Sequence, residues 1–184
     1  MRILLILFGL AALMFAGQQA FRAMGPSQGG TFADKVLRIT REAPAPQTEL
    51  TRADGGTATL ADWRGDVAVV TMWATWCGVC VREMPQLQAL AERYEGRGLS
   101  VLTVSVDEAP AEETVLAHLK SRGLDRLPPL IDAEQEMAVK LGLRGTPTTF
   151  IVDQFGQVTA AFEGLAPWED EATHEYLESL MAAT

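Results

Sequence analysis

Two cysteines, Cys77 and Cys80, lie in the stretch W-A-T-W-C-G-V-C with two residues between them, and they are the only cysteines in the 184-residue chain. A structural disulfide stabilises most when it closes a long loop, and this pair would close almost none. A zinc site usually takes four ligands, and the chain has no further cysteine to supply one. The spacing therefore favours reversible thiol–disulfide chemistry, with a structural pair or half of a metal site as the alternatives.

The elements around the pair would activate it. D-V-A-V-V-T-M-W-A, residues 66–74, is typical of a strand buried on both faces of a sheet. The cysteines would then lie in the first turn of a helix, where unpaired N–H groups and the helix dipole lower the pKa of the Cys77 thiol below about 8.5. Cys80, one turn further in, is predicted to be more buried and to attack second.

The rest of the chain alternates between strand and helix patterns. L-S-V-L-T-V-S-V-D predicts a second core strand, and T-T-F-I-V-D with Q-V-T-A-A-F predicts an antiparallel hairpin. Helices are predicted after the cysteines, over 111–121, over 133–141 and over 168–181. This order predicts the α/β class, with a central mixed β-sheet flanked by helices on both faces.

The N-terminus has the layout of an export signal. One arginine precedes a long apolar run, and residues 3–21 carry no charge, close to the about 20 residues that a helix needs to span lipid. No convincing cleavage site follows, so we expect a signal anchor at 1–22 rather than a cleaved signal. Residues 23–43, which contain Gly, Pro and Ser, are predicted to be a linker, and 44–184 the folded domain.

Charge is unevenly distributed along the chain. The formal net charge is −9, but residues 1–41 hold five of the fifteen Lys and Arg and only one acid. Ten bases and 23 acids remain from residue 42 onward, a net charge of −13. Such an acidic domain would repel phosphate backbones, which argues against nucleic acid as a partner.

Two tryptophans and two histidines are predicted to lie in different parts of the fold. Trp73 is expected in the core, whereas Trp76 directly precedes the nucleophile and is expected to wall the site. His118 and His174 are expected on the surfaces of helices. Neither is placed near the cysteines by the pattern, so a copper-binding module would lack a third ligand there.

Several motifs, taken in order, resemble the thioredoxin superfamily. W-A-T-W-C-x-x-C is followed by E-M-P, and G-T-P-T-T-F comes some 65 residues later. The sequence is most similar to the membrane-anchored TlpA/ResA-like thiol–disulfide oxidoreductases, from about Ala43 to the C-terminus. This resemblance implies a thioredoxin-like fold with a central insertion, here residues 107–131.

The resemblance also implies roles for individual residues. Pro147 matches the family's cis-proline, which packs opposite the cysteines and leaves the backbone of Thr146 to pair with a substrate strand; an ordinary trans proline is the alternative. Glu83 matches an acid of the active-site helix that raises nearby thiol pKa values or shuttles protons. A solvated acid beside Arg82 is its alternative.

Two positions depart from the family pattern. Val79 occupies a position between the cysteines where these proteins usually have proline, and the residues there tune the redox potential. Thr71 stands where typical thioredoxins have a buried aspartate that accepts a proton. Glu83 or water would then take over that task.

These observations predict a thiol–disulfide oxidoreductase in the bacterial inner membrane, with its catalytic domain in the periplasm, or cleaved and periplasmic. The resemblance implies that it reduces disulfides of exported proteins during cytochrome c or copper-oxidase maturation. A membrane electron donor would re-reduce the pair, and no metal or dissociable cofactor is expected. A disulfide-donating oxidase, a copper module and a protein-binding adaptor are the alternatives.

Overall fold

A computed structural model describes residues 36–183, with side chains described from residue 43 onward. The predicted anchor at 1–22 lies outside the described residues, as does most of the predicted linker. Within residues 36–183, no helix combines the length and the apolar character needed to cross a membrane.

The elements between residues 36 and 183 are eight strands, four α-helices and one 3-10 helix. The strands are β1 (Val36–Pro44), β2 (Leu50–Arg52), β3 (Thr57–Ala58), β4 (Val67–Trp73), β5 (Leu99–Ser105), β6 (Pro129–Ile131), β7 (Thr148–Val152) and β8 (Gln157–Glu163). The helices are α1 (Gly78–Arg93), α2 (Glu112–Ser121), α3 (Glu136–Lys140) and α4 (Glu171–Met181), and the 3-10 helix is Leu60–Trp63.

The strands form one mixed sheet in the order β1-β8-β7-β4-β5-β6-β2-β3. Strand β4 pairs in parallel with β5 and antiparallel with β7. All seven residues of β4 are buried. Because successive side chains of a strand point to opposite faces, both faces of the sheet are covered here. The predicted α/β class with a central mixed sheet is confirmed.

Helix α1 packs its apolar face on this sheet. Met84, Leu87 and Leu90 are buried, as their helical spacing predicts. Burying each such side chain contributes about 1.5–3 kcal/mol. The helix continues through Pro85. Its buried apolar side chains hold the first turns, which carry the cysteines, against the core.

The central insertion extends the sheet. Residues 107–131 contain α2 and β6, and β6 pairs in parallel with the C-terminal half of β5. The insertion is thus a strand–helix–strand crossover that starts at the end of β5, beside the segment that leads to the cysteines.

The structure differs from the predicted linker at its C-terminal end. Strand β1 pairs antiparallel with β8, and Val36 lies opposite Phe162. Residues 36–43, which the sequence assigns to the linker, therefore belong to the sheet. Local patterns do not predict this strand, because its pairing depends on a strand more than 100 residues away along the chain.

Helix α3 is shorter than the predicted 133–141. The buried carboxylate of Asp132 accepts hydrogen bonds from the backbone N–H groups of Met137 and Ala138, at 3.1 and 2.7 Å. These bonds satisfy the first donors of the helix, as an N-cap does, so the helix begins at Glu136. The preceding residue, Gln135, adopts a left-handed conformation with φ 54°.

Candidate active site

Cys77 and Cys80 are joined by a disulfide at the N-terminus of α1. Cys77 is the N-cap residue, and the backbone N–H of Cys80 donates to its Sγ at 3.2 Å. Cys77 is 7% exposed and Cys80 1%. An incoming disulfide therefore reaches Cys77 first, and the N–H group and the helix dipole favour the thiolate on that residue.

The loop before β7 faces the disulfide. The Thr146–Pro147 peptide bond is cis, as the resemblance implies. Sγ of Cys77 lies 3.7 Å from the carbonyl oxygen of Thr146. This is a contact rather than a hydrogen bond, because a disulfide sulfur carries no proton. Met72 is paired with Thr148 across β4 and β7, and this register brings the two loops together.

Trp76 forms the exposed apolar part of the site. Its side chain is 73% exposed, whereas Trp73 is fully buried in the core. A cleft of about 390 Å³ lies on one side of Trp76 and is lined also by Asp107 and Pro110. A second depression, of about 200 Å³, surrounds Thr146 and Pro147.

Glu83 is buried, with 1% of its surface exposed. This position excludes the alternative of a solvated helix acid. Its Oε1 accepts hydrogen bonds from the indole N–H of Trp168, at 2.8 Å, and from the backbone N–H of Ala166, at 3.1 Å. Glu83 thus joins the active-site helix to the segment between β8 and α4, one turn beyond Cys80.

At the position where thioredoxins have a buried aspartate, this protein has Thr71, whose hydroxyl contacts a second hydroxyl. Oγ1 of Thr71 lies 2.8 Å from Oγ1 of Thr149 on the neighbouring strand, and both residues are buried. Neither hydroxyl can take a proton at neutral pH as a carboxylate can. Glu83, three residues after Cys80, is the carboxylate of the active-site helix that lies one turn from the cysteines.

The two histidines are less exposed than expected. The prediction for His174 is wrong, since it is buried against Tyr94 and Arg93. His118 is half-buried, and its ring centroid lies 5.4 Å from that of Trp73. Burial lowers the pKa of both imidazoles, because it disfavours the charged form. Among the side chains of residues 43–183, no three His, Cys, Asp or Glu residues form a group that could hold a metal ion.

Asp107 is a site residue that the sequence reasoning missed. Its carboxylate accepts hydrogen bonds from the backbone and the side chain of Thr75, two residues before Cys77. Asp107 ends the stretch L-S-V-L-T-V-S-V-D, which predicts a core strand, but nothing local connects it to a loop 32 residues away. Trp168 is likewise predicted only as the first residue of the helix over 168–181, without its contact to Glu83.

Comparisons with known proteins agree with this site. The sequence matches the redoxin family over residues 40–179. It is 31% identical to the thiol-disulfide oxidoreductase ResA of Geobacillus thermodenitrificans over 158 residues, which cover 86% of this chain and 88% of that protein. ResA of Geobacillus kaustophilus is 33% identical over the same length and with the same coverage.

Solved structures show the same fold. The pneumococcal exposed lipoprotein thioredoxin Etrx1 from Streptococcus pneumoniae has a TM-score of 0.64 and 26% identity, covering 73% of this chain and 100% of that one. A thiol:disulfide interchange protein from Chlorobium tepidum has a TM-score of 0.64 and 23% identity, covering 78% and 99%.

The fold and the dithiol together define a thioredoxin-like thiol–disulfide oxidoreductase. More specifically, the chain belongs to the redoxin family and is a ResA/TlpA-like member of the thioredoxin superfamily.

Proposed function

We propose that this protein reduces disulfide bonds of exported client proteins on the outer side of the bacterial inner membrane. The observation that carries the proposal is the contact of Sγ of Cys77, at the N-terminus of α1, with the backbone carbonyl of Thr146 across the site. The apolar segment at 1–22 supports export and anchoring. Disulfides persist outside the cytosol, so a dithiol there has substrates.

The first step is attack by the reduced protein. The Cys77 thiolate attacks one sulfur of the client disulfide, a Cys77–client disulfide forms, and the second client sulfur leaves as a thiolate that takes a proton from water. Among residues 36–183, no backbone–backbone hydrogen bond uses Thr146. Its N–H and C=O are thus available to pair with an extended client segment while Trp76 covers the reacting sulfurs.

The second step releases the client. Cys80 loses its proton and attacks Sγ of Cys77, so that the Cys77–Cys80 disulfide forms and the other client sulfur leaves reduced. Two electrons have then passed to the client. Glu83, one helical turn beyond Cys80, is the group proposed to take the Cys80 proton, directly or through water.

Clients and the electron source follow from the resemblance. Proteins of cytochrome c or copper-oxidase maturation are the proposed clients, because their cysteines must be reduced before they bind haem or metal. The cycle ends with the oxidised pair, so a membrane electron donor has to return two electrons to it. A disulfide-donating oxidase would run the same steps in reverse.

The reduction potential of the Cys77–Cys80 couple tests the direction. Reference values are about −270 mV for thioredoxin and about −120 mV for the oxidant DsbA. A potential near or below about −220 mV supports the reductase. A potential above about −150 mV overturns it and makes the protein a disulfide donor, with Val79 the first residue to exchange for proline.

Trapping tests the clients and the location. Cys80→Ala, expressed in the native bacterium, is expected to accumulate mixed disulfides with exported proteins, whereas the matched Cys77→Ala traps none. Mass spectrometry of the captured proteins identifies the clients, and that of the mature N-terminus decides between an anchor and a cleaved signal. Captured proteins of the cytosol alone would contradict the proposed location.

A further inference from the structure

Asp107 lies where β5 ends and the chain turns into the insertion. Its side chain is 8% exposed. Three groups donate to the carboxylate: the backbone N–H of Thr75 at 2.9 Å, the Thr75 hydroxyl at 2.7 Å and the Ser105 hydroxyl at 2.5 Å. The N–H of Asp107 in turn donates to the Ser105 hydroxyl at 3.0 Å. The carboxylate thus connects β5 to the segment that precedes the nucleophile.

The sheet itself does not hold this segment. The last pair between β4 and β5 is Trp73 with Ser105, and the N–H of Val106 donates to the carbonyl of Trp73 at 2.8 Å. Beyond this point the chain turns, and the N–H of Cys77 donates to the carbonyl of Ala74 at 3.1 Å. Thr75 lies inside that turn. The position of the turn is therefore fixed by the two bonds from Thr75 to Asp107.

The charge of Asp107 also acts on the site. Among residues 43–183, the ion pairs involve other acids, and the titratable group on which the charge of Asp107 acts is the imidazole of His118, whose pKa it raises against the larger lowering by burial. Consecutive Cα atoms are about 3.8 Å apart, which places Thr75 and Cys77 at most about 7.6 Å apart. A buried negative charge that contacts Thr75 therefore opposes a second negative charge on Cys77.

We propose that Asp107 is a positioning residue that fixes Ala74–Trp76 against β5 and whose charge limits the thiolate character of Cys77. It opposes the N-terminus of α1, which favours the thiolate. A less stable thiolate makes the dithiol less stable relative to the disulfide, so the couple becomes a stronger reductant. The inference rests on the proposed thiol–disulfide exchange at this site and not on the direction of that exchange in the cell. The reduction potential of the wild-type protein, which tests the direction, therefore does not test the role of Asp107.

The test is the pH dependence of Cys77 alkylation by iodoacetamide in the reduced full-length protein, with the labelled peptide quantified by mass spectrometry. Asp107→Asn keeps an acceptor for Thr75 and removes the charge. We expect the midpoint of its curve to fall by about 0.5 pH unit, so that Cys77 reacts about threefold faster below the midpoint. An unchanged midpoint would overturn the proposal.

Asp66→Asn is the matched control. The Asp66 carboxylate accepts from the Ser100 hydroxyl at 2.7 Å, so it is also an acid bonded to a serine of β5. It lies beyond the opposite end of β4, about 20 Å away along the strand. Its removal is expected to leave the Cys77 midpoint in place.

Thr75→Val provides a second test with the opposite sign. This variant removes one hydrogen-bond donor from the Asp107 carboxylate and keeps its negative charge. Because that charge is then less compensated, the midpoint pH of Cys77 alkylation is expected to rise. A role limited to holding the fold would move both variants in the same direction, and that result would overturn the proposal. If Asp107→Asn does not fold, Thr75→Val decides alone: a rise supports the charge effect and an unchanged midpoint overturns it.

Discussion

The carboxylate of Glu83 contributes to the structure as well as to the proposed proton transfer. It is buried and accepts hydrogen bonds from Trp168 and Ala166. A buried carboxylate is costly unless such donors compensate it. The same two bonds hold the segment after β8 against the active-site helix, so loss of Glu83 would affect both the chemistry and the packing.

Glu83→Ala is expected to lower the free energy of unfolding by about 2–4 kcal/mol, because two buried donors lose their acceptor. Glu83→Gln keeps an oxygen in place and is expected to cost less than about 1.5 kcal/mol. Urea unfolding of the oxidised protein measures both. Equal losses for the two variants would contradict this assignment of the hydrogen bonds.

Trp76 has an exposed side chain that is expected to matter for clients and not for stability. Trp76→Ala should reduce kcat/KM for a protein disulfide about tenfold, equivalent to about 1.4 kcal/mol of lost contact. The unfolding free energy should change by less than about 0.5 kcal/mol.

Phe155→Ala is the matched control for this substitution. Phe155 is also a large, exposed aromatic residue, but it lies in the turn between β7 and β8. Its removal is expected to leave kcat/KM unchanged. If both variants lost activity equally, the effect of Trp76 would not be a local contact with the client.

At the scale of elements, a chain of hydrogen bonds joins α1 to α4. The Arg93 guanidinium lies 3.2 Å from Nε2 of His174, and since arginine can only donate, Nε2 accepts. The proton of the imidazole is then on Nδ1, which faces the Tyr94 hydroxyl at 3.1 Å. That hydroxyl donates to Glu178, also at 3.1 Å. Only neutral His174 fits this chain.

Stability is therefore expected to depend on pH through His174. Burial is the largest effect that lowers its pKa, and Arg93 lowers it further, while Glu171 and Glu178 oppose them. The unfolded chain binds a proton near pH 6.5 and the folded protein only at lower pH. The stabilisation is fully present above about pH 6.5 and is lost as the pH falls through the folded pKa.

Urea unfolding of wild type and His174→Gln at pH 7.5 and 5.5 measures this effect. The wild type is expected to lose stability between the two values, and the variant to lose less, because its side chain does not titrate. His118→Gln serves for comparison, since burial also lowers the pKa of His118. An equal pH dependence in wild type and His174→Gln would contradict the role of His174.

At the scale of the whole molecule, β1 forms one edge of the sheet. It covers β8, whose backbone would otherwise be exposed along its length. Because β1 is then itself the edge strand, its contribution is the pairing with β8 and not the removal of an open edge. The folded unit consequently begins before residue 44, the boundary predicted from the sequence.

A chain of residues 44–184 is expected to be less stable than one of 31–184. Loss of the pairing with β8 should lower the unfolding free energy by about 1–3 kcal/mol. The larger unfolded population should then increase aggregation on warming. Urea unfolding and light scattering of the two chains measure this difference. Equal stability would show that β1 contributes little to the fold.

The sequence predicts the elements that have a strong local pattern. The apolar run of β4 and the helical spacing of α1 suffice to place Cys77 after a buried strand and at a helix N-terminus. Strands β1, β2 and β3 are not predicted because they lie at the two ends of the sheet, and β2 and β3 span only three and two residues. Their pairing depends on partners distant in sequence.

The contacts within the site show the same limit. The CxxC and the cis proline are visible as motifs, and the resemblance relates them to each other. The bonds from Thr75 to Asp107 and from Trp168 to Glu83 span 32 and 85 residues. No periodicity or spacing encodes such pairs, because they exist only after the sheet and its flanking helices have packed.

The antiparallel pairing of β4 with β7 has a consequence for the newly made protein. The nucleophile follows the end of β4 and the cis proline precedes the start of β7, so the two halves of the site are 69 residues apart along the chain, counted from Cys77 to Thr146. Before these strands pair, Cys77 and Cys80 are ordinary thiols with no surface that recognises a client. The unfolded chain thus has no preference among other thiols, and it acquires its selectivity together with its fold.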